Sequence, residues 1–80
     1  MRITIAYCGE WNYQARAARL AEKIKVATGN NPDLYKSSGG AFEISVDNKL
    51  MYSKKATGRF PEDEDIIALL KSEADSPVQQ

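Results

Sequence analysis

The chain has no histidine and a single cysteine in 80 residues. Without histidine there is no Ser-His or Cys-His nucleophile pair, and a transition-metal site loses its commonest ligand. One cysteine cannot close an internal disulfide, so this is not a secreted scaffold stapled by bridges. Net charge is missing too: 11 Lys and Arg balance 11 Asp and Glu. Electrostatic capture of nucleic acid or of an anionic membrane is therefore not expected. No apolar run is long enough to span a bilayer, and the N-terminus enters a strand-like segment with no signal-peptide pattern. The expected setting is soluble, reducing and cytoplasmic. A chain of this length makes one domain with a modest core. We place that domain at 1–74 and expect 75–80, a polar stretch, to be a disordered tail.

What is present is well patterned. Residues 2–7 read as a strand, with Ile3 and Ile5 on one face. Thr4, Ala6 and Tyr7 make it apolar enough to be covered on both sides. Asn12 is a candidate N-cap for a helix over 13–28. Tyr13, Ala17, Leu20, Ala21 and Ile24 form its apolar stripe, and Gly29-Asn30-Asn31-Pro32 stops it. Residues 33–37 are a weak strand centred on Leu34-Tyr35-Lys36. The helix between the two strands makes a βαβ unit, so they should run parallel.

Ser38-Gly39-Gly40 is a connector. Residues 41–46 then alternate, with Phe42, Ile44 and Val46 on one side. Asp47-Asn48 suits a two-residue hairpin turn, and 49–53 returns as the second arm, which sets Met51 across from Ile44. Leu50 and Tyr52 would then share the Glu43 face. Residues 54–59 read as a polar loop. Pro61 opens a second helix with Glu62 to Asp65 in its first turn, and Ile66, Ile67, Leu69 and Leu70 supply the buried side. Phe60 is placed to pack back on that helix. The order is β-α-β-β-β-α, an α/β (α+β) fold with a mixed sheet and helices on one or both faces.

Cys8 sits where the first strand gives way to the helix. The positive end of a helix favours thiolate over thiol. A cysteine of ordinary pKa, about 8.5, is only ~3% thiolate at pH 7. A fall to about 7 raises that fraction roughly sixteenfold, while intrinsic nucleophilicity drops roughly fivefold. The net gain is about threefold, so position alone does not make a fast enzyme. The plainer reading of Cys8 is a small buried apolar residue at a strand end.

Two separated blocks of the sequence resemble one family. Tyr7-Cys8-Gly9-Glu10-Trp11-Asn12-Tyr13, with Arg16 and Leu20, resembles the opening motif of selenoprotein W-like proteins, the Rdx group. Gly40-Ala41-Phe42-Glu43-Ile44 through Lys49-Leu50 to Ser53-Lys54-Lys55, then Gly58-Arg59-Phe60-Pro61, resembles the same family's hairpin and second-helix entry. The resemblance implies a thioredoxin-like domain and thiol or selenol redox activity at a C-x-x-C or C-x-x-U site, U being selenocysteine. Cys8 matches the first cysteine of that motif, and Trp11 stands where the second cysteine or selenocysteine belongs. Thioredoxins proper also carry a cis-proline opposite the site. Ser37-Ser38-Gly39-Gly40 offers none.

Trp11 has three readings. The second redox group has been lost, or tryptophan stands in for selenocysteine (UGA and UGG differ by one base), or the indole has a role of its own such as docking. With one thiol, Cys8 can form a sulfenic acid or a mixed disulfide, and resolution needs an outside thiol. The expected function is a thiol redox protein acting through Cys8, attenuated by Trp11, with protein thiols or glutathione as partners. The alternative is an interaction module that keeps the fold and uses the Cys8–Trp11 loop as a contact surface. No resident cofactor, metal, nucleic acid or membrane partner is expected. Glutathione is a possible thiol co-substrate, and Lys54 and Lys55 are candidates to hold an anionic thiol. Arg16 and Arg19 read as solvated helix charges. The chain is expected to be a monomer or a dimer formed edge to edge.

Overall fold

The computed structural model describes residues 1–10 and 13–75. Strand β1 (Ile3–Cys8) is followed by helix α1 (Gln14–Thr28), then β2 (Asp33–Ser37), β3 (Phe42–Val46) and β4 (Lys49–Ser53). A one-turn helix, α2 (Lys54–Thr57), and helix α3 (Asp63–Asp75) complete the order. The sheet runs β2-β1-β3-β4. β1 is parallel to β2 and antiparallel to β3, and β3 is antiparallel to β4. The first strand of the chain therefore sits in the interior of a mixed sheet.

Alternation decides which face is buried. Ile3, Ile5 and Tyr7 of β1 lie opposite Val46, Ile44 and Phe42 of β3. These six form one core with Ala17, Leu20 and Ile24 of α1 and Ile66 and Leu70 of α3. Both long helices thus cover the same face. The other face carries Thr4, Ala6, Glu43 and Ser45, all half-buried. The expectation that β1 is covered on both sides is corrected, since β1 has an antiparallel neighbour in β3 and needs only one helical layer.

α1 ends as its sequence suggests. Gly29 adopts φ 79° and its N–H donates to Lys25 O at 2.9 Å. The start differs. Tyr13 is the N-cap residue, and its side chain makes no capping hydrogen bond. Asn12, the expected cap, lies outside the described residues.

The β3–β4 hairpin turns on Asp47 and Asn48, with φ 51° and 71°, the backbone of a two-residue turn matched to strand twist. Its register corrects the expected one. Ser45 pairs with Leu50, but Ile44 pairs with Tyr52, so Met51 is the extra residue of a β-bulge. The bulge brings Tyr52 to the core side, where it and Met51 pack against the buried cluster. Leu50 stays exposed.

Residues 54–57, read as loop, form α2. Ser53 Oγ accepts from Ala56 N–H at 3.3 Å, and Gly58 (φ 82°) closes the turn with its N–H on Lys54 O. α3 starts two residues later than Pro61. The Glu62 carbonyl accepts the Ile66 N–H, so the helix takes its first bond from Glu62. Ile66 and Leu70 are buried, Ile67 is half-buried, and Leu69 is exposed. The final turn reaches Asp75, the first residue of the expected tail, and 76–80 lie outside the described residues.

Candidate functional site

Cys8 is the last residue of β1, and the exposed Gly9-Glu10 turn follows directly. The helix does not begin there: Gly9 to Tyr13 separate the thiol from Gln14. That helix start is within one residue of the expected one at Tyr13. β1 extends through Cys8 because both neighbours pair with it. Cys8 lies opposite Ser37 of β2, and its N–H donates to Ala41 O at 2.8 Å. The Gly9 N–H donates to Ser37 O at 3.2 Å. The side chain is fully buried, with 0% exposure. Gly40 and Ala41 are buried beside it.

The connector that holds this end needs its glycines. Gly39 and Gly40 have φ 70° and 75°, a region costly for residues with a Cβ. This lets the chain leave β2 and return into β3 alongside Cys8. Gly9 is needed for a different reason. A Cβ there would lie 2.5 Å from Lys36 Cγ and 2.6 Å from Lys36 Cδ. The stem of Lys36 crosses directly over the residue after the cysteine.

Further cations gather at the same end. Arg16, on the first turn of α1, places its guanidinium 4.1 Å from the centre of the Phe60 ring. Lys54 Nζ lies 5.2 Å from the Phe60 ring centre and 5.8 Å from that of Tyr13. A Cβ on Gly39 would stand 3.5 Å from Lys55 Nζ. The rings under these cations form an edge-to-face cluster. Tyr13 and Phe60 are 4.7 Å apart, Phe60 and Phe42 5.3 Å, and Tyr13 and Phe42 6.5 Å. Phe42 in turn pairs with Tyr7, the residue before Cys8. Phe60 thus joins α1, β3 and the approach to α3, rather than stapling α3 alone.

Of the residues singled out in the sequence, Cys8, Arg16, Lys54 and Lys55 come together at this end of the sheet. Trp11 lies outside the described residues. Arg19 is exposed on α1. Lys36 and Phe60 were not expected here as contacts of the site. A glycine beside the cysteine was the available hint of a close crossing. Its partner is set by the parallel register of β1 and β2, which no local pattern reveals. A shallow cavity of about 140 Å³ opens between Tyr52, Phe60, Pro61, Ile66 and Leu69, and Cys8 does not line it. Among the described residues no set of three or more His, Cys, Asp or Glu side chains is placed to hold a metal ion. None of the described helices is long and apolar enough to cross a membrane.

The sequence model of the Rdx family matches residues 2–72. Two curated relatives are both named migration and invasion enhancer 1. The Bos taurus protein is 31% identical over 72 residues, covering 89% of this chain and 63% of the relative. The Mus musculus protein is 28% identical over 82 aligned residues, covering 100% of this chain and 71% of the relative. The chain therefore spans less than two thirds of the bovine protein's length. A selenoprotein W-related protein from Vibrio cholerae has a similar structure, with a TM-score of 0.86 at 26% identity, covering 92% of this chain and 96% of that one. A Bordetella parapertussis protein superposes with a TM-score of 0.85 at 25% identity, covering 90% and 95% of the two chains.

Proposed function

The chain belongs to the Rdx family, selenoprotein W-like proteins of thioredoxin-like fold, and from that membership we propose that it is a one-thiol redox protein acting through Cys8. The observation that carries the reading is the place of Cys8. It ends an interior strand beneath an exposed two-residue turn, Gly9-Glu10, and the sequence resemblance matches it to the first cysteine of the family's redox motif. The thiol is buried, so it works when that turn opens. Opening requires release of the Gly9 N–H from Ser37 O, a small local event beside the unfolding of the domain.

The chemistry is thiol–disulfide exchange. The Cys8 thiolate attacks a disulfide RS–SR′ of glutathione or of a protein. The S–S bond breaks, Cys8–S–S–R forms, and R′S⁻ leaves. A thiolate from solution then attacks the mixed disulfide and returns Cys8 as thiolate. One thiol suffices for both steps, and the chain supplies no second cysteine to resolve the adduct. A reducing compartment such as the cytoplasm fits this cycle. If the host codon at position 11 proves to be UGA, a selenol replaces Trp11. The selenolate would then attack the oxidant, with Cys8 resolving it through an S–Se bond.

The test is alkylation of Cys8 in folded and denatured protein, followed by mass. Reaction of the folded chain within about a hundredfold of the denatured control indicates local access. Reaction suppressed by the full unfolding equilibrium sinks the redox reading. The 0% exposure of Cys8 favours a second reading, an interaction module without turnover. On that reading Cys8→Ser binds its partner normally and Trp11→Ala does not. Loss of thiol-exchange activity in Cys8→Ser supports the first.

A further inference from the structure

Four cations, Arg16, Lys36, Lys54 and Lys55, lie at the end of the sheet that carries Cys8, and among the described residues none has a carboxylate partner. The ion pairs among the described residues are Arg2 with Asp33 and Lys23 with Asp63, and neither includes Arg16, Lys36, Lys54 or Lys55. The carboxylate in the turn itself is the exposed Glu10. Glu43 accepts a hydrogen bond from Ser53 Oγ at 3.0 Å. The neutral total thus conceals a local imbalance.

Two of the four are also held against an aromatic ring. Arg16 and Lys54 lie against Phe60, Lys36 is laid across Gly9, and Lys55 reaches Gly39. Cations fixed beforehand lose less freedom on meeting an anion than free surface lysines do.

We propose that this cationic collar is a docking surface for an acidic segment of a protein partner. Carboxylates on a short segment match four separated charges at one end of the sheet. A nucleic acid fits less well, for two reasons. The chain has no net positive charge to attract a long polyanion. The Phe60 and Tyr13 rings, which would stack bases, are already engaged by Arg16 and Lys54. The collar does not require Cys8 to turn over. In a redox cycle it brings an acidic partner's disulfide to the Gly9-Glu10 turn, and in an interaction module it is the interface itself.

The test uses the whole chain with its thiol kept reduced, titrated by amide NMR with a Glu-Gly repeat peptide of about ten residues and with its Gln-Gly counterpart. The acidic peptide is expected to shift the amides of Gly9, Gly39 and Arg16 saturably, and the Gln peptide to shift none. The exposed pair Lys36→Glu with Lys55→Glu is expected to weaken binding about tenfold. Lys25→Glu with Lys71→Glu makes the same change in net charge on later turns of α1 and α3, and is expected to weaken it less than about twofold. Equal losses in the two pairs overturn the proposal, because the effect would then be bulk charge. Absence of binding, or shifts confined to other surfaces, overturns it too. So does tighter binding of a single-stranded oligonucleotide at the same amides. Alkylation of Cys8 is measured separately, so failure here leaves the redox reading standing.

Discussion

At the scale of single residues, Gly9 matters for the side chain it lacks. Its φ is not positive, unlike Gly29, Gly39, Gly40 and Gly58. Backbone freedom is therefore not the reason for glycine. The reason is Lys36, whose Cγ would be 2.5 Å from any Cβ at position 9. Gly9→Ala is expected to cost about 1 kcal/mol by forcing Lys36 off its path. In a Lys36→Ala background the same substitution should be nearly neutral, because the clashing stem is gone. Urea unfolding of the four chains in that cycle checks the coupling. An equal cost in both backgrounds would place the strain in the backbone instead. Ser53 is a second residue with two jobs. Its Oγ donates to Glu43 Oε2 and accepts from Ala56 N–H. Ser53→Ala is expected to lower stability by about 1–2 kcal/mol, since it removes a cap and leaves a half-buried carboxylate short of a donor.

At the scale of elements, the hairpin was the most legible part of the sequence. Phe42, Ile44 and Val46 alternate with Glu43 and Ser45, and Asp47-Asn48 both tolerate positive φ. The turn formed where these signals met. The bulge at Met51 was not legible. Nothing in Leu50-Met51-Tyr52 tells which residue is to be skipped, and the choice is made by packing, which draws Met51 and Tyr52 against the core. α2 was missed because one turn of Lys54-Lys55-Ala56-Thr57 has no periodicity to read; its cap, Ser53, was the clue. In the site, Cys8 at a strand end was legible from the apolar run before it. Its burial matches the plainer reading of a small apolar residue at a strand end; the crossing of Lys36 was not legible, because it depends on the pairing of β1 with β2. The turn itself yields a prediction. Asn48, at φ 71°, should accept glycine with a gain of about 0.5 kcal/mol. Asn48→Val should lose about 1–2 kcal/mol, since a β-branched residue resists that conformation. Thermal unfolding of both variants reads the sign directly.

At the scale of the whole molecule, the question is how a buried thiol meets a partner. A domain of 80 residues has a stability of roughly 4–12 kcal/mol, at about 0.05–0.15 kcal/mol per residue. If Cys8 were exposed by global unfolding alone, its reaction would be slowed by at least about a thousandfold relative to the denatured chain. Local opening of the Gly9-Glu10 turn carries no such penalty. Core truncation far from the turn separates the two routes. Leu70 is fully buried on α3, and Leu70→Ala is expected to cost about 3 kcal/mol. By the global route that loss would speed Cys8 alkylation roughly 150-fold, because each 1.4 kcal/mol is about a factor of ten. By the local route the rate should change by less than about twofold, because the turn's own hydrogen bond is untouched. Ile44→Val, at a cost of about 1 kcal/mol, repeats the comparison with a gentler change, should Leu70→Ala prove too unstable to assay. Low urea adds an independent reading: a locally gated rate stays flat, while a globally gated one rises with the full denaturant dependence of unfolding. A flat rate, unmoved by Leu70→Ala, is the outcome the one-thiol mechanism requires. A rate that tracks stability would make Cys8 a core residue, and leave the cationic end of the sheet to act by binding alone.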